Sequence, residues 1–221
     1  MDVTEQAKER DWIRVVVAVV FVVAVIGLFS FLFRDHSKTG TTTATGFNLV
    51  AKDSFNRESG PIAYGKDVAA WKTISGSWSI AAGAAYVSEP APLVNIAVIE
   101  AGANASVKAV VSGLGYCGLV ANLVDEGEYL SLVRVEKYGV WNLERRRNGV
   151  PEVLAAVGGT SGTAATASIL VDPPIVTASV GEKHVSVSVA DLRSGRSAGL
   201  FAADPDPSNC AFDDVVISVP K

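Results

Sequence analysis

The feature that most constrains this chain is a period-two alternation of apolar and small polar residues, which runs through nearly all of residues 47–221. In HVSVSVADL, Val185, Val187 and Val189 fall on one side while Ser186 and Ser188 fall on the other. Only an extended strand sorts alternate residues in this way. In CGLVANLVD the same spacing puts Leu119, Ala121 and Leu123 on one face, and in FDDVVISVP it groups Val215, Ile217 and Val219. Turn signals separate the runs: SG at 75–76, AAG at 81–83, NG at 148–149, GEK at 181–183 and SG at 194–195. About a dozen short strands at roughly 8–12-residue spacing predict an all-β antiparallel sandwich or barrel. No long amphipathic helix and no convincing internal repeat interrupts the pattern.

One segment breaks it. From Val15 to Phe33 the chain reads VVVAVVFVVAVIGLFSFLF, with 17 apolar residues in 19 and no charge. As a helix rising about 1.5 Å per residue this run spans roughly 28 Å, close to the hydrocarbon thickness of a bilayer. A lone span in lipid must satisfy its own backbone hydrogen bonds, which only a helix does. Trp12 and Arg14 on one flank and Arg34 on the other suit the two interfaces. A cleaved signal peptide and a buried core helix are the alternatives, but a signal peptide's apolar run is shorter, about 7–15 residues, and its cleavage site follows closely. The charged RDHSK stretch directly after Phe33 argues for an uncleaved anchor.

Residues 1–14 are then a cytoplasmic N-terminal segment, with Lys8, Arg10 and Arg14 giving it a slight basic excess over the far flank. Residues 34–46, RDHSKTGTTTATG, hold five Thr, two Gly and one Ser with no large apolar side chain, and read as a linker. Residues 47–221 form the domain beyond it, placed outside the cytoplasm in a single-pass cell-membrane protein. The expected bilayer contact is confined to residues 15–33. The formal net charge of −4 lies wholly in residues 47–221, which carry 14 Lys/Arg and 18 Asp/Glu. That balance excludes nucleic acid as a partner, since no basic excess is present to neutralise phosphates.

Several phrases in this domain occur in a familiar order. It opens with DSFNRESG at 53–60 and continues with WKTISGSWSIAAGAAYVSE at 71–89. CGLVANLVDEGEYLSLVRV at 117–135 and WNLERRRNG at 141–149 follow, and SAGLFAADPDPSNCAFDDVVISV at 197–219 closes it. The order resembles the concanavalin A-like, laminin-G-like jelly rolls of bacterial surface proteins, secreted glycoside-acting enzymes and phage virion proteins. The resemblance covers about residues 50–220. It implies a two-sheet jelly-roll sandwich in which the opening D-x-F-N-R segment lies beside the closing F-D-D-V strand. Such pairing covers two otherwise adhesive sheet edges. Trp71 and Trp78 are large enough to fill the core between the sheets.

If the first and last strands pair in that way, Asp53, Asp213 and Asp214 become a candidate oxygen-ligand set for a structural Ca²⁺. Their alternative role is to cap turns and accept backbone N–H groups at strand ends. Cys117 and Cys210 are an even pair in a domain placed on the oxidising side, which points to a disulfide, with two buried thiols as the alternative. Tyr138, Trp141, Arg145, Arg146 and Arg147 form the densest aromatic and basic patch. Aromatic rings stack on sugar faces and arginines pair with anionic groups, so Tyr138, Trp141, Arg145 and Arg147 are candidate ligand contacts. The competing role is a hairpin with Trp141 packed inward.

Catalytic signals are sparse. Sandwich glycosidases need two carboxylates about 5–10 Å apart across a groove, and the Glu-x-Asp-x-(x)-Glu run that usually supplies them is absent. His184, the one histidine of residues 47–221, stands at the start of an alternating strand, opposite in phase to the valine face, and reads as a surface residue. The expected function is therefore a non-catalytic, membrane-anchored domain that binds a carbohydrate, an envelope polymer or a surface protein. The alternatives are a glycan-acting hydrolase with an unrecognised site and a phage-encoded envelope or structural scaffold.

Overall fold

In the computed structural model, residues 46–63, 70–113, 115–135, 139–159, 163–203 and 207–221 are described. The chain divides at residues 43/44 into two units, and all described residues belong to the second. The expected segments 1–14 and 15–33, and the linker up to residue 45, lie outside the described residues. Among the described residues no helix is long and apolar enough to cross a membrane.

The described residues form two antiparallel sheets, with strands numbered in chain order. One sheet runs β14 (Lys183–Ser188), β13 (Ile175–Val180), β12 (Ala164–Asp172), β7 (Ser106–Ser112), β16 (Ala211–Pro220), β5 (Ala84–Glu89), β4 (Ser77–Ala81) and β2 (Gly60–Pro61). A ninth strand, β1 (Phe47–Asp53), also pairs with β16. The other sheet runs β11 (Val150–Gly158), β10 (Val140–Arg147), β9 (Glu128–Val135), β8 (Tyr116–Asp125), β15 (Ser197–Ala203), β6 (Val94–Glu100) and β3 (Trp71–Ser75).

The core lies between the two sheets and takes the inward set of each alternating strand. Ala97 and Ile99, Leu119 and Ala121, and Leu130 and Leu132 come from the seven-stranded sheet, and Val107, Ile169, Val176 and Ile217 from the nine-stranded one. Trp71 and Trp78 are both buried there, as the sequence predicts. The closing strand β16 holds the architecture together. It pairs with β7 along one edge, while its other edge pairs first with β5 at Ala211–Phe212 and then with β1 from Val215 to Pro220. A bulge between Asp213 and Val216 allows that change of partner, and Asp214 takes a left-handed φ of 47° within it. The opening and closing segments thus lie side by side, and the Lys221 N–H donates to the Gly46 carbonyl at 2.8 Å.

One expected face is corrected. Leu119 and Ala121 do point into the core, but Leu123 belongs to an apolar cluster on the opposite side of its sheet. The register of β8 against β9 shifts after Ala121, where Asn122 adopts φ 51°. The extra residue reverses the alternation, so Leu123 points outward. Asn122 is buried, and its side chain accepts from the Gly195 N–H at 2.7 Å and donates to the Arg193 carbonyl at 2.6 Å. Local polar chemistry thereby stabilises the bulge.

The seven-stranded sheet is apolar on both faces. Its outward cluster comprises Ile96, Val98, Val120, Leu123, Tyr129, Val133 and Phe201. Antiparallel sheets commonly solvate one face and alternate cleanly, whereas NIAVI, CGLVA, YLSLV and GLFAA are nearly continuous apolar runs.

Cys117, in β8, and Cys210, just before β16, are bonded to each other with Cα atoms 5.3 Å apart, which ties one sheet to the other through the core. Closing a loop across a sequence separation of 93 residues stabilises a fold by about 4 kcal/mol on the entropic model. Reduction is accordingly expected to lower unfolding stability by about that amount, read from denaturant melts with and without dithiothreitol. Coincident melts would show that the bond contributes nothing.

Candidate functional site

Asp53 does not serve as an open metal ligand, because nitrogen donors already occupy its carboxylate. Oδ1 accepts the Phe55 N–H at 2.9 Å and Arg57 Nη1 at 2.7 Å, and Oδ2 accepts Trp71 Nε1 at 2.8 Å. Arg57 also donates to the Ile62 carbonyl at 2.9 Å and lies 5.4 Å from the centre of the Phe55 ring, which in turn packs at 5.8 Å on Trp71. The opening D-x-F-N-R phrase is thus a structural knot between β1 and β3. Asp213 accepts the backbone N–H of Asp214 at 2.6 Å, and Asp214 lines a shallow depression with Lys52 and Lys108 on the outer face of the nine-stranded sheet. The expected set Asp53, Asp213 and Asp214 therefore does not converge. No other group of three His, Cys, Asp or Glu side chains suited to a metal occurs among the described residues.

The aromatic and basic patch is likewise taken apart by alternation along β10. Tyr138 lies outside the described residues. Trp141 is a core residue, 2% exposed, beside Leu143. Arg145 follows on the same face and is buried, donating to Asp191 Oδ1 at 2.6 Å, to the Asp191 carbonyl at 3.0 Å and to Glu128 at 3.4 Å. Arg147 pairs with the same Asp191 carboxylate, and Arg193 pairs with Glu128 at 2.6 Å. These charges clasp the 189–196 connection to the end of the seven-stranded sheet. Hydrogen bonds from Arg147 and Arg145 hold the Asp191 carboxyl down at about 2.

Arg146 is the member of the arginine run that faces the other way. It stands opposite Tyr129 in the β9–β10 register, with its guanidinium carbon 5.5 Å from the ring centre. Glu144, two residues earlier, stands opposite Ser131, and Asn142 opposite Val133. Burial pushes the Glu144 carboxyl up, partly countered by a hydrogen bond with Asn142 and the charge of Arg146. Burial likewise pushes the Tyr129 phenol up, against the pull of Arg146. The Tyr129 hydroxyl is buried and has no hydrogen-bond partner among the described residues. Tyr129 also packs on Phe201 at 6.3 Å between ring centres.

Among the described residues, depressions mark this outer face in two places. One, of about 380 Å³, is lined by Tyr116, Val133, Glu144, Arg146 and Phe201 among others. The second, of about 610 Å³, is lined by Lys72, Ile74, Val98, Glu100, Leu123 and Arg196 together with the Asp125–Glu126 turn. Within the second, Glu100 pairs with Arg196 at 3.2 Å and Asp125 accepts the N–H of Gly127 at 2.8 Å. Apolar patches with a few convergent polar groups are the usual form of small-ligand sites. Tyr116, Tyr129, Glu144 and Phe201 escape sequence reasoning because their significance depends on which face of a two-sided apolar sheet they occupy. The near-continuous apolar runs of β6, β8, β9 and β15 are the signal in the sequence that corresponds to such a face.

No protein-family model matches the chain, and no curated protein matches it in sequence. Solved structures do match. A carbohydrate-binding module, CBM66 from Bacillus subtilis, superposes with TM-score 0.57 at 12% identity, covering 67% of this chain and 95% of that one. The fold is an antiparallel two-sheet jelly-roll sandwich. A Bacillus licheniformis beta-glucanase matches with TM-score 0.51 at 10% identity, over 77% of this chain and 98% of the other. The exoplasmic/lumenal domain of VIP36, in a form bound to Ca²⁺ and mannose, matches with TM-score 0.51 at 8% identity, over 68% and 83%. At such identities the likeness is one of fold.

Two outcomes follow from the side-chain geometry. Asp53→Ala leaves Arg57 and Trp71 Nε1 without their buried acceptor and is expected to cost about 3–5 kcal/mol, equally in EDTA and in millimolar Ca²⁺. A loss that appears only with calcium present would restore Asp53 as a metal ligand. Asp191 titrates at about 2 in the fold, below the unfolded value of about 3.9. A depressed carboxyl stabilises fully above the unfolded pKa, and that contribution fades as pH falls through the folded one. Asp191→Asn should therefore flatten stability against pH between about 4 and about 2, as followed by denaturant melts. An unchanged acid limb would show that the clasp adds no stability.

Proposed function

We propose that residues 47–221 form a non-catalytic glycan-binding domain whose site is the outer face of the seven-stranded sheet. The observation that carries this reading is the composition of that face. Apolar and aromatic side chains, Tyr116, Val133 and Phe201 among them, surround the Glu144 and Arg146 heads. Sugar rings present apolar C–H faces ringed by hydroxyls, and such a surface meets both requirements. The fold likeness to a carbohydrate-binding module and a mannose-bound lumenal domain supports the same class of ligand.

Binding is preferred to hydrolysis because Glu144 is the one carboxylate among the described residues lining the depression that holds Arg146. Glycoside hydrolysis uses two carboxylates on either side of the scissile bond. In the second depression Glu100 is engaged by Arg196 and Asp125 caps its own turn. The sequence supports a membrane location for this domain. The apolar run 15–33 would hold it as a single-pass anchor, with residues 1–14 cytoplasmic and the domain outside, where envelope glycans lie.

The test is affinity of the full chain for a panel of neutral polysaccharides, beta-glucans and mannans included. Arg146→Ala should weaken binding by about tenfold or more, the scale of a lost hydrogen bond from a charged group. Arg147→Ala lies off the face and should change affinity less than about twofold. Silence across the panel, or equal loss from the two variants, would overturn the assignment. The anchor predicts that alkaline carbonate leaves the chain in the membrane pellet, and release into the supernatant would refute it.

A further inference from the structure

A sheet edge is a row of backbone N–H and C=O groups with no strand to receive them, and proteins blunt such rows with prolines, bulges or very short strands. Most outer strands of this sandwich are blunted in one of these ways. β2 is two residues long and ends on Pro61. β11 contains Pro151, and its pairing with β10 shifts register after Leu143. β3 shifts register against β6 between Thr73 and Ser75, and β1 against β16 between Leu49 and Ala51. β14 is different. It ends the nine-stranded sheet, runs for six residues without proline, and pairs with β13 in unbroken register from Lys183 to Ser188.

The hydrogen-bond phase of β14 shows which backbone groups are spare. The Val189 N–H donates to the Pro174 carbonyl at 2.7 Å, in the register that pairs Val187 with Val176 and Val185 with Ala178. Hydrogen-bonded and non-bonded positions alternate along an antiparallel pair, so Val185 and Val187 use their backbone groups on β13. His184, Ser186 and Ser188 direct theirs to the open side, where no strand receives them among the described residues. The 2.8 Å contact between the Ser186 and Thr177 hydroxyls fits that phase, because side chains approach more closely at non-bonded pairs. His184, Ser186 and Ser188 are exposed, while Val185 and Val187 are only half-buried. Lys183, the charged end of the strand, donates to the Gly159 carbonyl at 3.0 Å.

We infer that β14 is a docking edge for a second copy of this chain, whose own β14 adds antiparallel and joins the two nine-stranded sheets into one. The pattern of the edge selects that occupant. A two-fold axis centred on Ser186 pairs Ser186 with its counterpart, and His184 with Ser188 of the second copy. In this register all the outward-directed residues of both strands exchange N–H···O=C bonds. It also sets Val185 beside Val187 of the second copy, so each half-buried valine gains an apolar neighbour. Lys183 then faces Val189 of the second copy, and no like charges meet. Use of the same edge by both copies closes the assembly at two. The edge belongs to the nine-stranded sheet, so the inference stands apart from the glycan-binding reading.

Cysteine cross-linking of the full chain tests the register. The two native cysteines are bonded to each other, so an introduced cysteine is the only free thiol. Ser186→Cys puts two thiols on the two-fold axis with Cα atoms about 5.5 Å apart, inside the disulfide range of roughly 4.4–6.8 Å. Mild oxidation is expected to convert most of this variant to a covalent dimer on a non-reducing gel. Thr166→Cys, exposed on β12 of the same sheet, should stay monomeric. In parallel, sedimentation of the full chain in detergent should show a dimer. Its dissociation constant should rise at least about tenfold in Ser186→Lys, which sets two ammonium groups against each other. Equal cross-linking of the two cysteine variants would overturn the inference. So would a wild-type chain that stays monomeric, or a dimer indifferent to Ser186→Lys, whose contact would then lie elsewhere in the chain.

Discussion

The buried carboxylate of Asp53 is the interaction on which the rest of the sandwich depends. It lies at the end of β1 in the nine-stranded sheet and accepts from Trp71 Nε1 in the seven-stranded sheet, while Arg57 closes the chain between them. A sandwich held by apolar contact alone leaves its sheets free to slide, because dispersion is not directional. The Trp71 bond to that buried carboxylate is directional and links the two sheets, while the bonds from Phe55 and Arg57 fix the carboxylate that receives it. The Cys117–Cys210 bond does the same at a second crossing.

With the sheets fixed, alternation decides where each charge goes. Along β10, Trp141, Leu143 and Arg145 share the inward side, so an arginine occurs at the rim of the core and must be neutralised there. Asp191 and Glu128 supply that neutralisation. Asn142, Glu144 and Arg146 share the outward side and face the apolar cluster formed by Tyr129, Val133 and Phe201. One strand thus supports the fold with its odd-numbered residues and equips the candidate site with its even-numbered ones.

Much of the architecture was legible in the sequence because it depends on local periodicity. Val-Ser alternation in β14, the Asn-Gly turn between β10 and β11, and the pairing of the opening and closing phrases each rest on a few neighbouring residues or a recognisable order. The site was less legible. Trp141 and Arg145 looked like ligand contacts because they are dense in sequence, yet alternation along β10 turns both of them inward and leaves Arg146 on the outer side. Asp53, Asp213 and Asp214 looked like a metal set because their strands pair, but pairing aligns backbones and leaves side-chain partners undetermined. Leu123 was assigned to the wrong face because the bulge at Asn122 depends on bonds to the 193–195 loop, about seventy residues away.

The sequence by itself determined the class of fold, the position of the apolar run 15–33, the small polar composition of residues 34–46 after it and the low, slightly acidic charge. Each is a property of composition or short-range pattern, and none depends on how distant strands meet. Tertiary structure decided which face of the seven-stranded sheet became the core and which became the side that carries Glu144 and Arg146. The physical reason is that β6, β8, β9 and β15 are apolar on both sides, so their own patterns do not distinguish inside from outside. Only the nine-stranded sheet, packed against one side and fastened by Asp53 and the disulfide, makes that distinction.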